Sequence, residues 1–258
     1  MTEDIVQSLA RIGIRASREA IFALLAHGTK SHLGPTEVIE QLVALELRER
    51  DARNLARRTR VAMLGTVPPL DAFDWNHPRA IDRDLYELLL GLEFLQHGTN
   101  ALFRGQSGVG KTMLAQNLGL RALEQGKTVL FSTLAAVLAD LLKQESIPAV
   151  ERRLKRYTLP DLLILDELGY LPCDSRSADL LYNIISRRHE RKSTVISTNL
   201  AFKQWSSVFP NAACVGALVD RFAQHCHTMD IDADSWRQKQ ANAATPATSL
   251  ATLKKTRR

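Results

Sequence analysis

Apolar residues recur at helical spacing through the first sixty or so positions, after which the rhythm changes. Ile5, Leu9 and Ile12, then Ile21, Leu24 and Leu25, fall three or four apart, so each set lines one face of a helix. Gly28 and the pair Gly34-Pro35 interrupt the pattern, and a long helix is expected from about Thr36. From Arg48 that helix has two faces. At 100° per residue Arg50, Arg53, Arg57 and Arg60 lie within an arc of about 80°, with Ala52, Leu55, Ala56 and Met63 opposite. Gly65-Thr66-Val67-Pro68-Pro69 ends it, because two prolines remove donors and fix φ. Residues 1–66 therefore read as a small all-helical domain. Residues 67–99 read as a linker and an arm, with Phe73-Asp74-Trp75 and a helix through Leu85 to Leu95 packed on a core.

From residue 100 strand-like runs at 100–104, 128–133, 162–166 and 193–198 alternate with helical stretches. That alternation predicts an α/β domain over 100–237, a parallel sheet with helices on both faces. After Trp236 the sequence is dominated by Ala, Thr, Pro and Lys, and 238–258 reads as a basic, disordered tail.

The net charge of +6 changes the picture once it is divided: residues 1–66 carry +2, residues 67–236 carry −2 and residues 237–258 carry +6. The positive excess lies in the flanks, where a polyanion such as DNA could be held. Between 48 and 60 basic residues outnumber acidic ones six to two, which favours a phosphate backbone over a merely solvated face for the arginine stripe. No apolar run approaches the roughly 18 residues of a membrane span, and the Met1-Thr2-Glu3-Asp4 start lacks a signal-peptide pattern. A soluble cytoplasmic protein without a membrane partner is expected. Cys173, Cys214 and Cys226 are scattered, so neither a disulfide framework nor a zinc module is indicated. His225-Cys226-His227 would point adjacent ligands to opposite faces of a strand, and no metal is expected there.

The most informative chemistry is Gly105-Gln106-Ser107-Gly108-Val109-Gly110-Lys111-Thr112, which fits the phosphate-binding P-loop in full. A strand precedes it and a helix follows from Met113, so Gly105 through Met113 is expected to hold ATP. Glycines admit backbone N–H groups to the phosphates, the helix offers its positive end, Lys111 reaches the terminal phosphates, and Thr112 can ligate Mg²⁺. A second signature is Leu162-Leu163-Ile164-Leu165-Asp166-Glu167, in which four buried aliphatic residues deliver two carboxylates to a sheet edge. Asp166 should hold Mg²⁺ through water, and Glu167 should orient the attacking water. The run at 128–133 intervenes between the two signatures, as in P-loop ATPases whose phosphate-loop strand and carboxylate strand are separated by another. Asn199, at the end of Ser193-Thr194-Val195-Ile196-Ser197-Thr198-Asn199, can hydrogen-bond the lytic water or the terminal phosphate.

Taken together with Pro160 to Pro172, Ile185 to Thr194, Ser197-Thr198-Asn199-Leu200 and Val219-Asp220-Arg221-Phe222, these motifs resemble the IstB family. Its members are transposition helper ATPases of bacterial insertion sequences, within the AAA+ ATPases and the clade of the helicase loaders DnaC and DnaI. The resemblance runs from about Phe73 to Arg237 and implies a P-loop AAA+ sheet preceded by a helical domain. It also implies roles: Lys111 and Thr112 as the Walker A pair, Asp166 and Glu167 as the Walker B pair, and Asn199 as first sensor. Arg221 takes the place of an arginine finger that reaches a neighbour's nucleotide, and Arg237 that of a second sensor. Gln106-Ser107 stands where Pro-Pro is common and Trp236 where Tyr is frequent, and neither removes a phosphate, metal or water contact.

A helix from Leu134 to Tyr157, ending in Arg152, Arg153, Lys155 and Arg156, occupies the place where initiator-type members carry a DNA-facing helix. An exposed amphipathic helix is the equally weighted reading. The resemblance implies an ATPase that oligomerises on double-stranded DNA with ATP and Mg²⁺ and assists a cognate transposase in selecting its target. A helicase loader is the alternative within the clade. An ATP-gated clamp without turnover is disfavoured by Glu167, and a P-loop kinase has no use for an arginine stripe.

Overall fold

The computed structural model of the chain describes residues 2–169, 174–209, 212–236 and 238–239. Arg237, the Tyr170-Leu171-Pro172 part of the family motif and the tail from residue 240 lie outside them. The chain divides into two compact units, Met1–Arg60 and Val61–Arg258.

The first unit is helical: α1 (Thr2–Arg11), α2 (Arg18–Lys30) and most of α3 (Pro35–Ala62). Ser17 caps α2 by accepting the Ala20 N–H, and Ala16, Ile21 and Leu45 form a small core with Val6, Leu9, Leu24 and Leu42. A carboxylate is buried beside it, since Glu46 is only 5% exposed. Burial opposes ionisation of Glu46, but the Arg15 N–H at 2.6 Å and the guanidiniums of Arg50 and Arg53 outweigh it and hold its pKa below the ordinary value. Two arginines of the stripe are therefore engaged within the unit itself. Arg50 donates to Glu46 Oε1 (3.0 Å) and Gly13 O (2.8 Å), and Arg53 donates to Glu46 Oε1 (3.1 Å) and Arg15 O (2.9 Å). Arg57 and Arg60 are exposed.

In the second unit β1 (Ala80–Ile81) and α4 (Arg83–Leu90) precede β2 (Asn100–Gly105), α5 (Lys111–Glu124) and β3 (Val129–Thr133). Next come α6 (Leu134–Leu142), α7 (Ile147–Thr158), β4 (Leu162–Leu168), α8 (Ser175–Arg188) and β5 (Ser193–Thr198). The short α9 (Trp205–Val208), α10 (Val215–Ala223) and β6 (Cys226–Asp232) complete it. The six strands are ordered β1-β6-β2-β5-β4-β3, and β1 pairs antiparallel with β6 whereas the other pairs are parallel. The strand lying between the P-loop strand β2 and the carboxylate strand β4 is thus β5, and β3, which separates them along the chain, sits at the far edge. Leu102, Leu163, Leu165 and Ile196 face one core with α6, α7, α8 and α10. On the other face Ile164 approaches Gly119 of α5, and Tyr86 of α4 donates to Leu114 O at 3.0 Å.

Two local expectations differ from the structure, and one strand lies where no run was expected. The segment 134–157 is two helices, because Ser146 accepts the Ala149 N–H and Pro148 follows at once, restarting the helix after a break. The arm helix stops at Leu90, beyond which Leu92 takes φ +65° and a single 3₁₀ turn covers Glu93–Leu95. The strand β6, with Met229 and Ile231 buried between exposed Thr228, Asp230 and Asp232, was not legible as a separate run.

Candidate active site

The P-loop leaves the end of β2 and enters α5. Gly108 and Gly110 have φ +82° and +95°, a region that side-chain-bearing residues rarely adopt. At Gly110 a Cβ would also lie 2.5 Å from the Phe73 ring, and at Gly108 it would collide with Ser235 Oγ. Lys111 is buried and donates through Nζ to Gly105 O (2.8 Å) and Gln106 O (2.7 Å), so its ammonium is held over the loop by carbonyls that a phosphate would replace. Thr112 Oγ1 donates to Asp166 Oδ2 at 2.9 Å. These groups border a cavity of about 290 Å³, lined by Ser107 to Met113, Gln116, Asp166, Glu167 and Ser197. Its remaining wall comes from the arm and the segment that follows β6: Pro68, Ala72, Phe73, Asp74, His77 and Trp236.

Asp166 and Glu167 both line this cavity although they are neighbours on β4, where regular pleating would send them to opposite faces. A bulge resolves the conflict. The register pairs Leu165 with Ile196 and next Leu168 with Thr198, so β4 has one residue more than β5 across this interval. Glu167 takes φ +66° there, a backbone placement that costs roughly 1 kcal/mol for a residue bearing a Cβ. Its N–H is donated to Ser197 Oγ at 3.1 Å, and Ser197 Oγ in turn donates to Asp166 Oδ1. Ser197 was not singled out from sequence; its signal was a hydroxyl two residues before Asn199 at a strand end.

The arm reaches the site because β1 pairs with β6 and Arg79 N–H is donated to Asp232 O at 2.7 Å. Phe73 stacks edge-on to Trp75 (4.8 Å between centroids), and His77 stacks edge-on to Trp236 (4.7 Å) while its Nε2 lies 2.9 Å from Asp234 O. The Trp236 backbone N–H is donated to Gly108 O at 3.1 Å, joining the segment after β6 to the P-loop.

The other sequence-selected residues are spread around this cavity. Asn199 is exposed just beyond β5, close to Gly169 and outside the cavity lining. Arg221 lies on α10, its guanidinium 4.9 Å from the Tyr182 ring and donating to Ser186 Oγ, away from its own P-loop cavity. On α7, Arg153 makes two 2.6 Å bonds to Asp140, which hold the Asp140 carboxyl below its ordinary range, so this arginine is committed within the fold. Arg152, Lys155 and Arg156 are exposed on that helix.

Mg²⁺ is commonly held by one or two carboxylates, with substrate phosphates and waters completing an octahedron of oxygens. Asp166 and the Thr112 hydroxyl fit that requirement, since both oxygens converge where the P-loop helix begins.

The family described as "IstB-like ATP binding protein" matches residues 7–244 of this chain. The chain belongs to that family. An ATP-binding protein of insertion sequence IS21 from Pseudomonas aeruginosa is 32% identical over 236 residues, 92% of this chain and 89% of that one. One of insertion sequence IS232 from Bacillus thuringiensis is 34% identical over 204 residues, 78% and 82% of the two chains. Among solved structures DnaI superposes with a TM-score of 0.52 over 67% of this chain and 90% of its own, at 17% identity. The AMPPCP-bound DnaA from Aquifex aeolicus superposes with a TM-score of 0.50 over 67% and 56%, at 20% identity. These two likenesses show the fold, a P-loop AAA+ sheet with flanking helices. For a member of an ATP-binding family the P-loop cavity is the candidate nucleotide site, and no helix among the described residues is long and apolar enough to cross a membrane.

Proposed function

We propose that this IstB-like protein is an Mg²⁺-dependent ATPase that oligomerises on double-stranded DNA and assists the transposase of its insertion sequence in selecting target DNA. The observation that carries the ATPase reading is the bulge in β4, which turns both Asp166 and Glu167 toward one P-loop cavity. A nucleotide-holding clamp has no need of a second carboxylate in a costly backbone conformation, whereas phosphoryl transfer to water needs one group to hold the metal and another to orient the nucleophile. In this reading the P-loop N–H groups and Lys111 receive the phosphates, and Lys111 exchanges the carbonyls of Gly105 and Gln106 for phosphate oxygens. Thr112 and Asp166 hold Mg²⁺, which neutralises charge developing on the transferred group. Glu167 orients the attacking water, and Asn199, outside the cavity lining here, is to reach that water or the terminal phosphate once nucleotide is bound. Arg237 senses the nucleotide of its own subunit. Arg221, on α10 and outside its own cavity lining, serves a neighbouring subunit's nucleotide.

Duplex binding is assigned to Arg57 and Arg60 of the stripe and to Arg152, Lys155 and Arg156 of α7, all exposed. Arg50 and Arg53 of α3 and Arg153 of α7 have their forks occupied by Glu46 and Asp140, so a smaller share of phosphate contact falls to them. The relatives' association with insertion sequences favours a transposase over a replicative helicase as partner. Phosphate release measured with and without duplex DNA tests the proposal. Turnover that rises with DNA and falls by about 10²- to 10⁴-fold in Glu167→Gln is expected, and absence of turnover in the wild-type chain under both conditions overturns it.

A further inference from the structure

Resting on the ATPase reading, the geometry points to Ser197 as the residue that positions Glu167 for catalysis. The bulge that brings Glu167 into the cavity has a cost beyond its dihedral angle. With two residues of β4 lying between the ladder pairs Leu165↔Ile196 and Leu168↔Thr198, against one of β5, the Glu167 N–H is removed from the regular backbone ladder. A part-buried N–H that has lost its ladder partner needs another acceptor, and the buried Ser197 supplies it through Oγ at 3.1 Å.

A serine hydroxyl has one proton to give and lone pairs to receive. Here the proton goes to Asp166 Oδ1, which leaves the lone pairs facing the Glu167 N–H. Asp166 is fixed on its other oxygen by Thr112 at 2.9 Å. One side chain thus sets the distance between the carboxylate that holds the metal and the backbone that carries the carboxylate for water. Alanine at 197 would leave the strand intact and remove only that link, whereas threonine would keep the oxygen. Ser197 is buried, so no solvent hydroxyl takes its place at once.

The expected signature is a loss in kcat with ATP affinity retained, because the P-loop contacts do not pass through Ser197. Misplacement of a reacting group by about 1 Å costs on the order of 10²-fold, so Ser197→Ala should lower kcat by roughly 10- to 100-fold while ATP affinity stays within about twofold. Ser197→Thr should retain most of the wild-type kcat. A double-mutant cycle with Glu167→Gln, read in single-turnover experiments, decides whether the effect runs through Glu167. Adding Ser197→Ala to Glu167→Gln should then cost less than about threefold. An equal multiplicative loss in both backgrounds would place the role of Ser197 elsewhere and overturn the inference, as would a Ser197→Ala protein as active as wild type. A wild-type chain without turnover would instead overturn the ATPase reading, and with it this extension.

Discussion

Replacing Arg188 by methionine should destabilise the second unit by about 3 kcal/mol, although Arg188 lies outside the P-loop cavity lining. It is 1% exposed, and burial lowers its guanidinium pKa to about 9, so it is still protonated at neutral pH. Its donors meet Tyr157 O (3.1 Å), Thr158 O (3.2 Å), Pro160 O (2.8 Å), Thr194 Oγ1 (2.9 Å) and Ser193 O. These acceptors come from the end of α7, the approach to β4 and the start of β5, so one side chain ties the basic helix to the sheet. Methionine keeps the apolar stem and removes every donor. At about 1–3 kcal/mol for each acceptor left dry the five together would cost about 5–15 kcal/mol, and relief from burying a charge offsets most of that, which leaves about 3 kcal/mol. With a urea m-value of about 2 kcal/mol/M the unfolding midpoint should fall by about 1.5 M. Hydrogen exchange in the last turn of α7 should accelerate in parallel, and Arg188→Lys should recover part of both effects. A midpoint shift under about 0.3 M for Arg188→Met would show that water or neighbouring donors satisfy these carbonyls, and the argument would fail.

Other consequences follow from the same contacts. Asp161 is opposed by burial, yet Lys192 and Thr128 hold its pKa down to about 2, so its contribution is complete above about pH 4 and is lost as pH falls toward about 2; Asp161→Asn should flatten that acid limb of the unfolding curve by about 1 kcal/mol after allowance for solvent screening, and an unchanged limb would refute it. Neutralising Arg57 and Arg60 should reduce the slope of log K against log salt for duplex DNA by up to about 2, with the melting temperature unchanged, whereas neutralising Arg50 and Arg53 should lower the stability of the first unit. An unaltered salt slope in the Arg57/Arg60 variant removes those two from the DNA surface. Arg221→Ala should bind ATP yet hydrolyse it about 10³-fold more slowly, and mixing it with Lys111→Ala should give more activity than the two proteins measured separately. Exchanging mixtures that never exceed the sum would leave Arg221 a structural contact of Tyr182 and Ser186.

The sequence made the P-loop legible because its chemistry is local: glycine spacing, Lys111 and Thr112 all act within eight residues. The strand runs were equally plain where both faces are buried, as in Leu162 to Leu165. The strand β6 escaped because only Met229 and Ile231 turn inward between charged neighbours, and its place beside β2 depends on a pairing far along the chain. Asp166 and Glu167 were readable as a pair, but the bulge that makes both face one cavity involves Ser197, thirty residues further on. Likewise an arginine stripe on a helical wheel says nothing of a buried Glu46 beneath it, and that carboxylate occupies Arg50 and Arg53.

The central claim is that ATP binding assembles the protein on DNA and that Glu167 ends the assembled state. Its most direct test is the lifetime of ATP-dependent complexes on duplex DNA for wild type, Glu167→Gln and Lys111→Ala, followed by sedimentation or single-molecule fluorescence. Complexes that persist at least about tenfold longer in Glu167→Gln than in wild type, and fail to form in Lys111→Ala, are the predicted result. Equal lifetimes for wild type and Glu167→Gln, or equal assembly by Lys111→Ala, would contradict the account.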